Sequence, residues 1–75
     1  MARIVDLEVR TPERTSVHSE VEASYSIFVG NDGNTYLQID TYGSKNRAIP
    51  GKTSQSVQFG PEGVEKLRQI LSELD

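Results

Sequence analysis

Residues 3–10 alternate, with Val5, Leu7 and Val9 on one side and Ile4, Asp6, Glu8 and Arg10 on the other. A period of two predicts a strand with one buried face. Thr11-Pro12-Glu13-Arg14 then reads as a turn, because proline fixes φ and donates no ladder hydrogen bond. The longest alternating run spans residues 17–29: Val17, Val21, Ala23, Tyr25, Ile27 and Val29 point one way, with Ser19 the one polar residue among them. His18, Glu20, Glu22, Ser24, Ser26 and Phe28 point the other way. Gly30-Asn31-Asp32-Gly33 ends the run with residues suited to a tight hairpin. A third strand is predicted over 35–42, with Leu37 and Ile39 inward and Tyr36, Gln38, Asp40 and Tyr42 opposite. A fourth covers 53–59, with Val57 and Phe59 inward and Ser54, Ser56 and Gln58 outward.

The pattern changes period at Gly60. Pro61 suits the first helical position, where its missing N–H would be unpaired anyway, and Glu62 and Glu65 fall near the positive end of the helix dipole. Val64, Leu67, Ile70, Leu71 and Leu74 recur every three or four residues as one apolar stripe. Gly63 costs about 1 kcal/mol relative to alanine there. The predicted fold is therefore α+β: a four-stranded antiparallel meander followed by one C-terminal amphipathic helix (β-β-β-β-α), as a single domain over residues 1–75. One helix covers one face of the sheet and leaves the other open to solvent or a partner.

Size changes the picture. Seventy-five residues, 35% of them hydrophobic, give one small core, and without cysteine there is no disulfide to reinforce it. A homodimer is the expected remedy. No signal peptide or membrane span is read, since the longest apolar run is Ile27-Phe28-Val29, and the default location is the cytoplasm. The net charge of −3 argues against binding nucleic acid by overall charge alone.

Catalysis finds no support in the motifs, and no enzyme activity is expected. His18 is the sole histidine, and no nucleophile elbow accompanies the serines. No metal or cofactor is expected either: Asn31-Asp32-Gly33-Asn34 lacks the later glutamate of a calcium loop. Gly51-Lys52-Thr53 resembles the end of a phosphate loop, but Asn46 stands where the first glycine is needed, and strand follows where helix should.

What remains is the open face together with the stretch TYGSKNRAIPGKTSQSVQF, residues 41–59, which carries Lys45, Arg47 and Lys52 and no acidic residue. Ser24, Ser26 and Phe28 align with Tyr36, Gln38, Asp40 and Tyr42, and Ser54, Ser56 and Gln58 complete the surface. Rings for stacking, amides and hydroxyls for base edges, and cations for phosphates suit single-stranded DNA or RNA. Tyrosine and serine are also ordinary residues for the solvent face of a strand, and Asp40 and Glu22 sit on the same side.

Residues 34–75 resemble the C-terminal domain of the positive cofactor four family, transcriptional coactivators that bind single-stranded DNA, and their small bacterial relatives. The similar pieces are YLQIDTY, the loop ending in AIPGKTSQSVQF, and PEGVEKLRQILSELD. The resemblance implies a curved antiparallel sheet, a symmetric dimer built through the helices, and a groove for an unpaired strand. By position, Lys52 would contact phosphate and Lys45 and Arg47 would flank the groove; Thr53 and Gln55 stand where the family usually has lysines. The binding set expected from these readings is Lys45, Arg47 and Lys52 for phosphates, Tyr36 and Tyr42 for stacking, and Ser54, Ser56 and Gln58 for polar contacts. The alternative is a protein-interaction module, accessory or inhibitory, using the same Ser/Tyr-rich face without nucleic acid.

Overall fold

The structure, a computed structural model, describes residues 1–13, 15–43 and 52–74. Strands β1 (Ala2–Ile4), β2 (Ala23–Val29), β3 (Thr35–Thr41) and β4 (Gln55–Phe59) are followed by helix α1 (Pro61–Leu71). The α+β class and the element order agree with the sequence pattern.

The connectivity differs from a pure meander. Strand order is β1-β4-β3-β2; β2/β3 and β3/β4 are antiparallel, but β1 crosses the molecule to lie parallel to β4, with Ile4 opposite Phe59. A physical reason lies in the connections. Gly30-Asn31-Asp32-Gly33 forms a tight turn in which the Gly33 N–H donates to the Gly30 carbonyl at 3.0 Å, and Gly33 takes a φ of 82°. No comparable Asn/Gly hairpin signal joins β1 to β2, so nothing local holds those strands side by side.

The predicted first and second strands are also longer than the paired ones. Residues 5–10 and 17–22 alternate as strands do, yet lie outside β1 and β2. β4 is five residues long and offers β1 little more to pair with.

Helix α1 starts at Pro61 after an extended Gly60, and the Val64 N–H donates to the Gly60 carbonyl at 2.8 Å. Glu62 in the first turn and Arg68 in the last complement the helix dipole. The helix packs on β3 and β4. Its stripe residues Val64, Leu67 and Ile70 are half-buried, while Leu71 and Leu74 are exposed. Gly63 has a packing role: a Cβ there would come closer to the Ile4 carbonyl oxygen than the 3.0 Å limit that real Cβ atoms respect, and would also touch Phe59. Glycine thus lets the helix lie directly against the end of β1. Among the described residues the buried hydrophobic side chains are Tyr36, 8% exposed, and Phe59, 6% exposed; none is fully buried.

Candidate nucleic-acid interface

Cross-strand register fixes which side chains share a face. Opposite the helix, Gln58 faces Gln38, which faces Ser26, and Ser56 faces Asp40, which faces Ser24. These polar residues occupy alternate positions of their strands, so the pleat that turns Leu37, Ile39, Val57 and Phe59 toward the helix turns them away from it. Gln58 Nε2 donates to Gln38 Oε1 at 2.9 Å, and Gln38 Nε2 donates to Asp40 Oδ1 at 3.0 Å. The Ser56 hydroxyl also donates to Asp40. The result is a ladder of amides and hydroxyls that ends on a carboxylate.

Arg3 belongs to this surface too, because the parallel pairing of β1 and β4 sets it opposite Gln58. A depression of about 220 Å³ lies here, lined by Met1, Ala2, Arg3, Ser56 and Gln58. Sequence reasoning missed Arg3. Its strand was recognised, but its neighbour depends on a crossover that the alternation does not encode.

The expected tyrosines divide. Tyr36 has the parity of the open face but its ring is not open there: it is 8% exposed and stacked on Phe28 with centroids 5.6 Å apart. It lies against Gly30 and Gly60, where added Cβ atoms would come within 2.8 Å and 3.2 Å of it. Its hydroxyl donates to Asp32. A stacking role for Tyr36 is therefore withdrawn, since an incoming base has no ring face to meet. A tyrosine beside two glycines at the sheet's end could have flagged this, because those glycines leave a slot that a ring fills. Tyr42 is half-buried and its hydroxyl is hydrogen-bonded to that of Ser24.

Of the remaining expected residues, Lys52 and Ser54 are exposed, and Ser56 and Gln58 are half-buried. The Ser54 N–H donates to the Thr41 carbonyl at 2.6 Å, which brings the approach to β4 alongside β3. Lys45 and Arg47 lie outside the described residues.

Asp32 has its carboxyl held below the ordinary value of 3.8, first by the Tyr36 hydroxyl and then by the Asn34 N–H, which donates at 3.0 Å. This carboxylate fixes the hairpin turn against the buried ring and takes no part in the amide ladder. Among the described residues no three His, Asp or Glu side chains gather closely enough to hold a metal ion, and no helix is long and apolar enough to cross a membrane.

Comparison of the chain with protein-family models, with curated proteins and with solved structures gave no match.

Proposed function

We propose that the polar sheet face binds single-stranded nucleic acid, DNA or RNA, in an accessory role in transcription or DNA metabolism. The observation that carries this reading is the Gln58–Gln38 amide ladder running to a depression bordered by Arg3. Arg3 and Lys52, with Lys45 and Arg47 of the sequence just before Lys52, serve phosphates. Tyr42 offers a ring edge, and Ser54, Ser56, Gln38 and Gln58 offer hydrogen bonds to base edges. A homodimer belongs to the same reading.

The test is fluorescence anisotropy with a labelled oligo-dT and an oligo-rU at several salt concentrations. Four cations on phosphate give a slope of log affinity against log salt of about −3 per chain. Arg3→Ala and Lys52→Ala should each weaken binding and make that slope shallower by about 0.7. Absence of saturable binding at low salt refutes the reading.

A protein partner on the same face is the second reading. Asp40 within the ladder and the net charge of −3 favour it, because both repel a polyanion. It expects no oligonucleotide binding and protection of Gln38 and Gln58 in a complex.

A further inference from the structure

Strand β2 is the free edge of the sheet, and its helix-side row is uncovered. Tyr25 is 73% exposed, Ile27 65% and Val29 68%. Dimensions explain why. A helix about 10 Å wide over strands about 4.8 Å apart covers roughly two of them, and α1 lies on β3 and β4.

The edge also lacks protection. Proteins blunt exposed edges with short strands, lysine or proline. β1, the other edge, is three residues long. Residues 15–29 contain no Lys, Arg, Pro or Gly, and their alternation runs on past the start of β2 through Val21, Ser19 and Val17. Val17 is 97% exposed, and among the described residues no backbone hydrogen bond reaches residues 17–21.

Backbone parity then restricts what can pair with it. The Tyr42 N–H donates to the Glu22 carbonyl at 3.0 Å. In an antiparallel ladder the even-numbered residues of β2 thus direct their peptide groups at β3, and Ala23, Tyr25, Ile27 and Val29 direct theirs outward. A second copy approaching about a two-fold axis must therefore set odd residues opposite odd ones, which places the axis at a residue rather than between two. Centring on Glu22 sets that glutamate opposite its own copy, and centring on Ser24 sets Val17 opposite Asn31 of the turn. Centring on Val21 sets Glu20 opposite Glu22 of the other copy, which is repulsive. Centring on Tyr25 leaves Val17 and Ser19 without partners. Centring on Ala23 sets Val21 opposite Tyr25, Ser19 opposite Ile27 and Val17 opposite Val29, with Glu20 and Glu22 opposite Ser26 and Ser24.

We propose that two copies of this chain pair antiparallel through residues 17–29, with Ala23 on the two-fold axis, joining their sheets edge to edge. The interface is β2 rather than the helix, whose stripe is largely turned to its own sheet. This proposal does not depend on nucleic-acid binding and is tested without it.

The cysteine-free chain makes single-cysteine variants unambiguous. Facing residues of a hydrogen-bonded pair have Cα atoms about 5.5 Å apart, within disulfide range. Ala23→Cys should oxidise to a covalent dimer, and an equimolar mixture of Val17→Cys and Val29→Cys should form the mixed dimer. Val29→Cys alone should not, because its two copies lie about 40 Å apart across the axis at strand rise. Sedimentation equilibrium of the unaltered chain should give about twice 8.3 kDa, and Ile27→Lys should shift the mass toward monomer. The proposal is overturned by a monomer at millimolar concentration. A dimer in which Ala23→Cys crosslinks no faster than Val29→Cys, or in which Ile27→Lys leaves the mass unchanged, overturns it equally.

Discussion

Replacing Gly63 by alanine sets two effects of opposite sign against each other. Alanine in a helix is favoured over glycine by about 1 kcal/mol, so helix propensity alone predicts a more stable protein. The structure predicts the reverse. The new methyl carbon would fall inside the 3.0 Å limit to the Ile4 carbonyl oxygen, with Phe59 Cδ2 at 3.4 Å on another side. The nearer group is backbone, held by parallel pairing with β4, so no rotamer change relieves it. Overpacking of this kind costs about 1–3 kcal/mol, and a contact this close to an immobile carbonyl belongs at the upper end. The net expectation for Gly63→Ala is a loss of about 1–2 kcal/mol, or a fall in melting temperature of roughly 5–15 °C for a domain of this size. Urea and thermal unfolding followed by far-ultraviolet circular dichroism, at one fixed protein concentration, measure it. A variant more stable than the parent would mean that β1 does not lie beneath the helix, and the crossover connectivity would fall with it.

Three further outcomes follow from the hairpin and the polar face. Gly33→Ala should cost about 1 kcal/mol in urea unfolding, from backbone strain at φ 82° alone, because nothing lies within 4 Å of the added methyl. Tyr36→Phe removes the hydroxyl that depresses the Asp32 pKa. A carboxyl with a lowered folded pKa adds stability above its ordinary value of 3.8, and that contribution disappears as pH falls through the folded value. The variant should thus be less stable than the parent at pH 7, should approach it in strong acid, and should show Asp32 titrating at higher pH by NMR. Asp40→Asn should strengthen binding of a single-stranded oligonucleotide about threefold at low salt, from one repulsion at about 6 Å screened by water, about 0.7 kcal/mol; unchanged or weaker binding would place the phosphates elsewhere.

The local elements were legible because each has a short-range cause. The 3.6-residue recurrence of Val64, Leu67 and Ile70 announced the helix, Pro61 its start, and the Gly30–Gly33 run its hairpin. The facing of Leu37 and Ile39 against Gln38 and Asp40 followed from parity alone, and register in the structure agrees with it. Three things were not legible, and all are non-local. Alternation in residues 3–10 indicates a strand without naming its neighbour, so the parallel β1–β4 pairing and the position of Arg3 beside Gln58 were hidden. Alternation in residues 17–22 does not fix where pairing begins, and β2 starts only at Ala23. Tyr36 has the outward parity of its strand, yet Gly30 and Gly60 leave room for its ring at the sheet's end and the Asp32 turn closes over it, so a residue on the polar face became part of the core.

Edge pairing and nucleic-acid binding, though independent, would be coupled by geometry if both hold. Joining two β2 strands about an axis perpendicular to the sheet sets Ser24 and Ser26 of one copy opposite Glu22 and Glu20 of the other, so the two polar ladders share one face with doubled cations on either side of that seam. An oligonucleotide of about 8 nucleotides would occupy one half and one of about 16 both, within the span of single-strand sites. The longer ligand then gains from effective concentration, by up to about 10²–10⁴ in affinity, and its salt slope steepens from about −3 toward −6. Ile27→Lys should abolish that advantage while leaving the short ligand's affinity unchanged, because Ile27 lies on the helix side of β2 and touches no part of the polar ladder. Equal losses for both lengths would mean that the substitution damages the fold. An advantage that survives in a demonstrated monomer would mean that the longer strand is held by one chain alone.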